Sequence, residues 1–231
     1  MLANSMSDST FLNESFKVTS PNVAYTDNTI TSKYVYQNTE VMGNVVSVIN
    51  ENMTFKTERK VGKVGVMLVG WGGNNGSTAT AAILANKLGI SWMTKEGKVK
   101  SNYFGSLTQA STVRLGLNAA GESVYIPFKN MLPMVDPNDL VIGGWDISSL
   151  SIADAMQRAQ VLDYDLQKQM IPLLEGLKPL PSIYHSDFIA SNQSNRADNL
   201  IIGNKKLQLD TIRKDIRDFK HSNSLDKVSS S

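Results

Sequence analysis

Cysteine is absent from this chain, and histidine occurs only twice, as His185 and His221. The first absence excludes disulfides, thiolate metal sites and cysteine nucleophiles. The second excludes a histidine-rich metal centre, so no metal site is expected. No apolar run reaches the ~20 residues of a membrane-spanning helix. The polar stretch from Met1 to Glu14 also lacks the apolar core of a signal peptide. The expectation is a soluble, cytoplasmic chain with no membrane partner. An excess of one charge sign is missing too: 23 Lys and Arg against 21 Asp and Glu leave +2, which gives no argument for a nucleic-acid partner. What remains is a globular balance of 41% hydrophobic and 19% charged residues. Its 231 residues suffice for one large domain or a domain with an extension.

The most informative stretch is Gly70-Trp71-Gly72-Gly73-Asn74-Asn75-Gly76-Ser77-Thr78. It follows the apolar run Val64–Val69 and opens an Ala-rich segment, Ala79 to Leu88, that reads as helix. Strand, glycine turn and helix together present backbone N–H groups and a helix N-terminus to a phosphate. The spacing departs from the usual dinucleotide fingerprint, because the third glycine stands at 76 where the pattern expects 75. A phosphate loop of the NTPase kind would need Lys and then Ser/Thr after the last glycine, and Ser77 follows directly. A purely structural turn remains the alternative.

Along the chain, residues 1–14 are Ser/Asn/Asp-rich and expected to be disordered. Residues 15–60 form a polar arm with several short strands, and 61–228 a partial nucleotide-binding domain. Within it, Ser111 to Leu117 and Ser123 to Phe128 read as an inserted β-hairpin. Asp139 to Asp146 reads as a second buried parallel strand ending in a carboxylate. Ser151, with Asp154 three residues on, starts a helix carrying Ile152, Ala155, Met156, Ala159, Leu162 and Leu166, limited by Pro172. Ser182-Ile183-Tyr184 offers a third parallel strand. A last helix runs near Lys206 to Lys220, with Leu209, Ile212, Ile216 and Phe219 on one face. The fold class expected is therefore α/β: an incomplete Rossmann-like, doubly wound parallel sheet with an inserted hairpin and a β-rich N-terminal arm. Three parallel strands followed by a helix leave the sheet unfinished, so a truncated version of a longer protein is inferred, with 229–231 as a tail.

Individual residues keep a plain structural reading beside a functional one. The acid that would hold an adenosine ribose is Glu96 by distance, in a charged loop, or Asp146 by its place after a strand; the plain reading of Asp146 is an N-terminal helix cap or a turn aspartate. Gln193 and Arg196 could approach a phosphate or ribose, though polar residues of this kind are more often simply solvated. His185 reads as a loop histidine. Arg213, Lys214, Arg217 and Lys220 alternate with Asp210, Asp215 and Asp218 as a solvated helix face, with pairs such as Asp210 and Lys214. No nucleophile, base and acid share a suggestive spacing.

Five stretches taken together resemble the eukaryotic inositol-3-phosphate synthase (myo-inositol-1-phosphate synthase) family: 70–78, Asn-Tyr-Phe-Gly-Ser-Leu-Thr-Gln-Ala-Ser-Thr at 102–112, Leu-Pro-Met-Val at 132–135, Gly-Gly-Trp-Asp-Ile at 143–147 and Asp-Phe-Ile-Ala-Ser-Asn-Gln at 187–193. Phe16 to Val23 is similar to that family's opening. The resemblance implies tightly held NAD and conversion of glucose 6-phosphate to inositol 3-phosphate, the first step of inositol and hence phospholipid biosynthesis. The cycle it implies is redox-neutral: oxidation at the sugar's C5, enolisation, aldol closure and return of the hydride, all kept from solvent. It places Gly72, Gly73, Asn74 and Asn75 on the pyrophosphate, Asp146 on the adenosine ribose, and Ser182, Ile183, Gln193 and Arg196 around the rest of the cofactor. It also implies a cytoplasmic homotetramer. The family's catalytic lysines, substrate-phosphate site and main assembly sheet fall after Val228 and have no counterpart in this chain. The sequence therefore predicts an enzyme family member without catalytic residues of its own. The alternative is a non-catalytic nucleotide-binding or subunit-interaction fragment.

Overall fold

A computed structural model describes residues 10–11, 16–188 and 191–230. The stretch expected to be disordered, 1–14, lies outside them except for Thr10 and Phe11, and so do Ile189, Ala190 and Ser231. In chain order the strands and helices begin with β1 (Thr10–Phe11), β2 (Val23–Tyr25), β3 (Thr29–Met42), β4 (Val45–Glu58), β5 (Val64–Val69) and α1 (Asn74–Leu88). Next come β6 (Ser91–Thr94), β7 (Gly97–Lys100), α2 (Leu107–Ala110), β8 (Thr112–Leu117), β9 (Ser123–Pro127) and β10 (Val141–Asp146). The remainder is α3 (Ile152–Ala159), α4 (Tyr164–Leu174), β11 (Leu180–Pro181), α5 (Lys205–Ser222) and β12 (Lys227–Ser230). They group into two compact units, residues 62–102 with 135–231, and residues 1–61 with 103–134. The sequence boundaries at 15–60 and 61–228 differ from this grouping, because the segment carrying β8 and β9 belongs with the arm.

The first of these units is built on a parallel sheet in the order β11-β10-β5-β12. Numbered by chain position within the sheet, that is 3-2-1-4, the order of a dinucleotide-binding half with its switch point between strands one and four. Three strands and an unfinished sheet were expected; the structure adds a fourth. Ser229 and Ser230, expected as a tail, pair with Val66 and Met67 of β5. Four residues with one apolar side chain gave no periodicity to read, so pairing with a buried neighbour decides the conformation.

Strand alternation sorts the two faces. Leu68 and Ile142 pack on a cluster of Trp71 from the loop after β5 with Ala81, Ala85, Ile152, Met156, Leu166, Met170 and Leu174 of α1, α3 and α4. The opposite parity turns to α5. Gly65 and Gly143 leave room for the Phe219 ring, since a Cβ on either would stand within 2.8 Å of it, and Trp145 Nε1 donates to Asp215 at 2.8 Å. Helices thus cover both faces. Asp215 is therefore not part of a solvated charged face. The surface pairs of α5 are Arg213 with Asp210 and Lys214 with Asp218, not Asp210 with Lys214. Gln208, donating to the Ile201 carbonyl, takes the buried place assigned to Leu209, which is exposed.

The single helix expected from Ser151 is two helices. Gln160 adopts φ +52° and closes α3 with its N–H on the Met156 carbonyl. Pro172 then lies inside α4, two residues before its end. Ser182 forms an isolated parallel bridge with Leu200 beyond the short β11 rather than a full third strand through Tyr184.

The other unit holds two small sheets. β8 and β9 form the expected hairpin, with a bulge between Arg114 and Gly116, and β1 adds in parallel to β9. The arm is not several short strands. β3 and β4 pair without interruption from Thr29–Glu58 to Met42–Val45, around a two-residue Gly43-Asn44 turn with Gly43 at φ +58°. Gly-Asn between two strand-forming runs is a hairpin signal. The polar residues scattered through both runs concealed it.

Candidate functional site

The carboxyl ends of β5 and β10 lie side by side, with Val69 opposite Trp145. The chain leaves β5 through Gly70, which takes φ +78° and donates its N–H to the Trp145 carbonyl at 2.8 Å. Trp71 N–H shares that carbonyl at 2.9 Å, and Gly73 N–H closes a turn on Gly70 O at 2.8 Å. Trp71 turns inward, almost wholly buried, and its indole N–H donates to Thr80 Oγ1 at 2.8 Å. Arg158 of α3 donates to the Gly72 carbonyl at 2.7 Å. The loop is thereby held from below by the protein's own groups.

Its upper side is different. Gly73 is the N-cap of α1 and supplies no side-chain acceptor. Asn74, Asn75 and Gly76 are the first helical residues, so their N–H groups have no intrahelical partner. Asn74 and Asn75 are exposed. Ser77 N–H makes the first helical bond, to Gly73 O at 3.0 Å. Uncapped amides at a helix N-terminus, on a glycine turn at the switch point of a parallel sheet, form an anion cradle. The glycine at 76 has a local cause: a Cβ there would stand 2.4 Å from the Trp71 carbonyl. Helix and loop could not then approach.

Asp146 ends β10. It is 1% exposed and accepts from Ser148 N–H at 2.9 Å, an Asx-type turn rather than a helix cap; the cap of α3 is Ser151, accepting from Asp154 N–H. A Cβ on Gly72 would come to 3.1 Å from the Asp146 carboxyl carbon, so glycine at 72 permits this contact. Glu96, the other acid considered, sits at the tip of the β6–β7 hairpin. Gln193 and Arg196 lie on a 3-10 turn, Ser191–Arg196. Arg196 Nε donates to Gln193 Oε1, and Arg196 Nη1 stands 3.6 Å from Asp146 Oδ1 as an ion pair. That Nη1 atom is buried without a hydrogen-bond acceptor. Ser182 exchanges backbone hydrogen bonds with Asn199 and Ile201, and Ile183 follows it past the carboxyl end of β11, half-buried.

The structure therefore brings Gly72, Asp146, Arg196 and Gln193 into one contact chain. Gly73, Asn74 and Asn75 stand beside Gly72, and Ser182 and Ile183 lie at the same sheet end but one strand further out. Sequence reading missed the residues that position these. Arg158 fixes the loop, and Asn199 Nδ2 donates to the Asp146 carbonyl at 3.0 Å and to Pro179 O at 3.3 Å. Asp198 accepts from Ser149 N–H and Oγ, both at 2.8 Å. None has a sequence signature, since each acts on backbone or on a neighbour 20 to 86 positions away. Asp198's carboxyl is held below its ordinary value by the Ser149 N–H first and the Ser149 hydroxyl second.

A dinucleotide fits these residues. The cradle offers free amides where a diphosphate would lie, and the orphaned Arg196 Nη1 needs an acceptor. Among the described residues there is no cluster of three or more metal-ligating side chains, and no helix is long and apolar enough to cross a membrane.

Residues 64–229 match the NAD-binding family model described as myo-inositol-1-phosphate synthase. Among curated proteins, inositol-3-phosphate synthase of Dictyostelium discoideum is 55% identical over 93% of this chain and 43% of its own length. Inositol-3-phosphate synthase 1 of Homo sapiens is 57% identical over 92% of this chain and 39% of its own. The crystal structure of the Caenorhabditis elegans inositol-3-phosphate synthase superposes with a TM-score of 0.85 at 45% identity, covering 94% of this chain and 44% of that one. The chain thus spans about two fifths of the length of the curated relatives it matches. A glycine turn on a 3-2-1-4 parallel sheet and relatedness across nearly all of the chain converge: it belongs to the myo-inositol-1-phosphate synthase family and carries that family's NAD-binding domain.

Proposed function

We propose that this chain binds NAD at the carboxyl ends of β5 and β10, and that it is the coenzyme-holding portion of an enzyme converting glucose 6-phosphate to inositol 3-phosphate. The observation that carries the reading is the set of uncapped amides of Asn74, Asn75 and Gly76 at the switch point. Gly72, Gly73, Asn74 and Asn75 receive the diphosphate there, where partial positive charge and close backbone approach coincide. Asp146 accepts from ribose hydroxyls, and Arg196 exchanges its ion pair with Asp146 for a ligand oxygen, which satisfies the orphaned Nη1. Gln193 orients that guanidinium, and Ser182 and Ile183 line the outer strand end. When bound, NAD supplies a reversible acceptor for the sugar's hydride. The chain's own residues bind and orient it; none of them is placed to move a proton on the sugar.

The catalytic groups belong to the part of the family's length that this chain does not span. Assembly into a cytoplasmic homotetramer, and a place at the first step of inositol and phospholipid synthesis, go with the whole-length enzyme. Calorimetric titration with NAD tests the reading. Binding is expected to weaken about tenfold or more in Asp146→Ala and in Arg196→Ala, the loss of a hydrogen bond to a charged group. No inositol phosphate should form from glucose 6-phosphate. Unchanged NAD affinity in both variants would refute the site, and turnover by the isolated chain would refute the assignment of catalysis elsewhere.

A further inference from the structure

In the unit that carries the arm, a cavity of about 610 Å³ is lined by Lys17, Arg59 and Lys129 together with Phe16, Ile30 and Leu132, among others. The described residues of its wall include three cations and no carboxylate. Among the described residues the ion pairs are Arg196–Asp146, Arg213–Asp210 and Lys214–Asp218, so none of the described acids forms an ion pair with any of the three.

Two of the three cations have side-chain contacts that hold them, and the third is placed by its backbone turn. Arg59 Nη1 donates to the Thr26 carbonyl at 2.8 Å, a single neutral acceptor for a fork of five donors. Lys17 Nζ lies 5.6 Å from the centre of the Tyr25 ring, within cation–π range. Tyr25 is itself fixed, its hydroxyl accepting from Val18 N–H at 3.0 Å. Lys129 lies on a 3-10 turn directly after β9, with the Met131 N–H closing on Phe128 O. Three like charges around one hollow repel one another, and an anion between them relieves that repulsion. The apolar part of the wall excludes a bare ion as the best occupant and favours one with a carbon body.

We propose that this cavity is a second binding site, separate from the glycine turn, for a small organic phosphate: a phosphate dianion among Lys17, Arg59 and Lys129, with its carbon body against Phe16, Ile30 and Leu132. The site does not depend on the NAD reading, because it shares no residue with that one.

The test is titration of the ¹⁵N-labelled chain with phenyl phosphate, inorganic phosphate and phenol at constant ionic strength. Phenyl phosphate should give saturable shifts at the amides of residues 129–132. Inorganic phosphate should shift the same amides at least tenfold more weakly, and phenol should not shift them. Lys17→Ala combined with Lys129→Ala should weaken phenyl phosphate about tenfold or more; Lys129→Gln alone, a substitution on a surface turn, should weaken it severalfold. Absence of saturable shifts in the unaltered chain would overturn the proposal. So would shifts equally strong with phenol, or an affinity unchanged in Lys129→Gln.

Discussion

The parallel sheet and the β3–β4 ribbon use similar strand-forming residues and end in opposite conditions. In the sheet, alternation sends Leu68 and Ile142 to one helical layer and Met67 and Trp145 to the other, and Met67 and Trp145 are at most 2% exposed. In the ribbon, side chains of both parities are bare: Tyr34, Val35, Val46 and Ile49 are all more than 40% exposed. The same β-branched and aromatic side chains therefore stabilise one element by burial and contribute little to the other. Beyond Ser32, where β2 no longer pairs with β3, the ribbon is two-stranded with exposed side chains on both faces and rests on its ladder and turn alone, which in water is marginal. Strand propensity fixes local conformation, and coverage decides stability.

That contrast can be broken most severely at Gly144. Its φ of +157° and a Cβ position 2.1 Å from the Leu68 carbonyl leave no space for a side chain. Gly144→Val should abolish the cooperative thermal transition of the sheet unit. Met67→Ala should cost about 2–5 kcal/mol, the range for emptying a fully buried position, measured by denaturant unfolding. Val46→Lys together with Val48→Lys, at exposed ribbon positions, should change stability by less than about 0.5 kcal/mol. If the ribbon pair cost as much as Met67→Ala, the two regions would not differ as described. Hydrogen exchange sharpens the same point: amides of β5 and β10 should be protected by global unfolding, and those near Gly43 should exchange orders of magnitude faster.

The smallest effect concerns Asp198, which ties the loop after β10. Its carboxyl lies below its ordinary 3.8 in the folded chain. A lowered folded value adds stability above the unfolded value, and that contribution is lost as pH falls through the folded one. Asp198→Asn should therefore melt slightly lower than the unaltered chain at neutral pH, with the difference closing below about pH 4. A constant offset across that window would show that the Ser149 bonds do not depend on the charge.

The sequence made the central βα unit legible, because a run of apolar residues, a glycine turn and an Ala-rich helix are local signals. The β8–β9 hairpin and α5 were legible for the same reason. Long-range pairing was not. β12 exists through its ladder with β5, 163 residues earlier, and the break between α3 and α4 depends on Gln160 tolerating a left-handed backbone. The candidate site divides in the same way. Its glycines and Asp146 stand where strand ends predict them. Arg158 and Asn199, which hold the loop and the carboxylate's backbone, are joined to it only by the fold.

The cradle itself is open to one direct measurement, the amide shifts of Asn74, Asn75 and Gly76 in the ¹⁵N-labelled chain on adding NAD. Those three signals should move together and saturate, with Arg158→Ala weakening the response by loosening the Gly72 carbonyl. Saturable NAD binding that leaves all three unmoved would contradict a diphosphate seated on the start of α1.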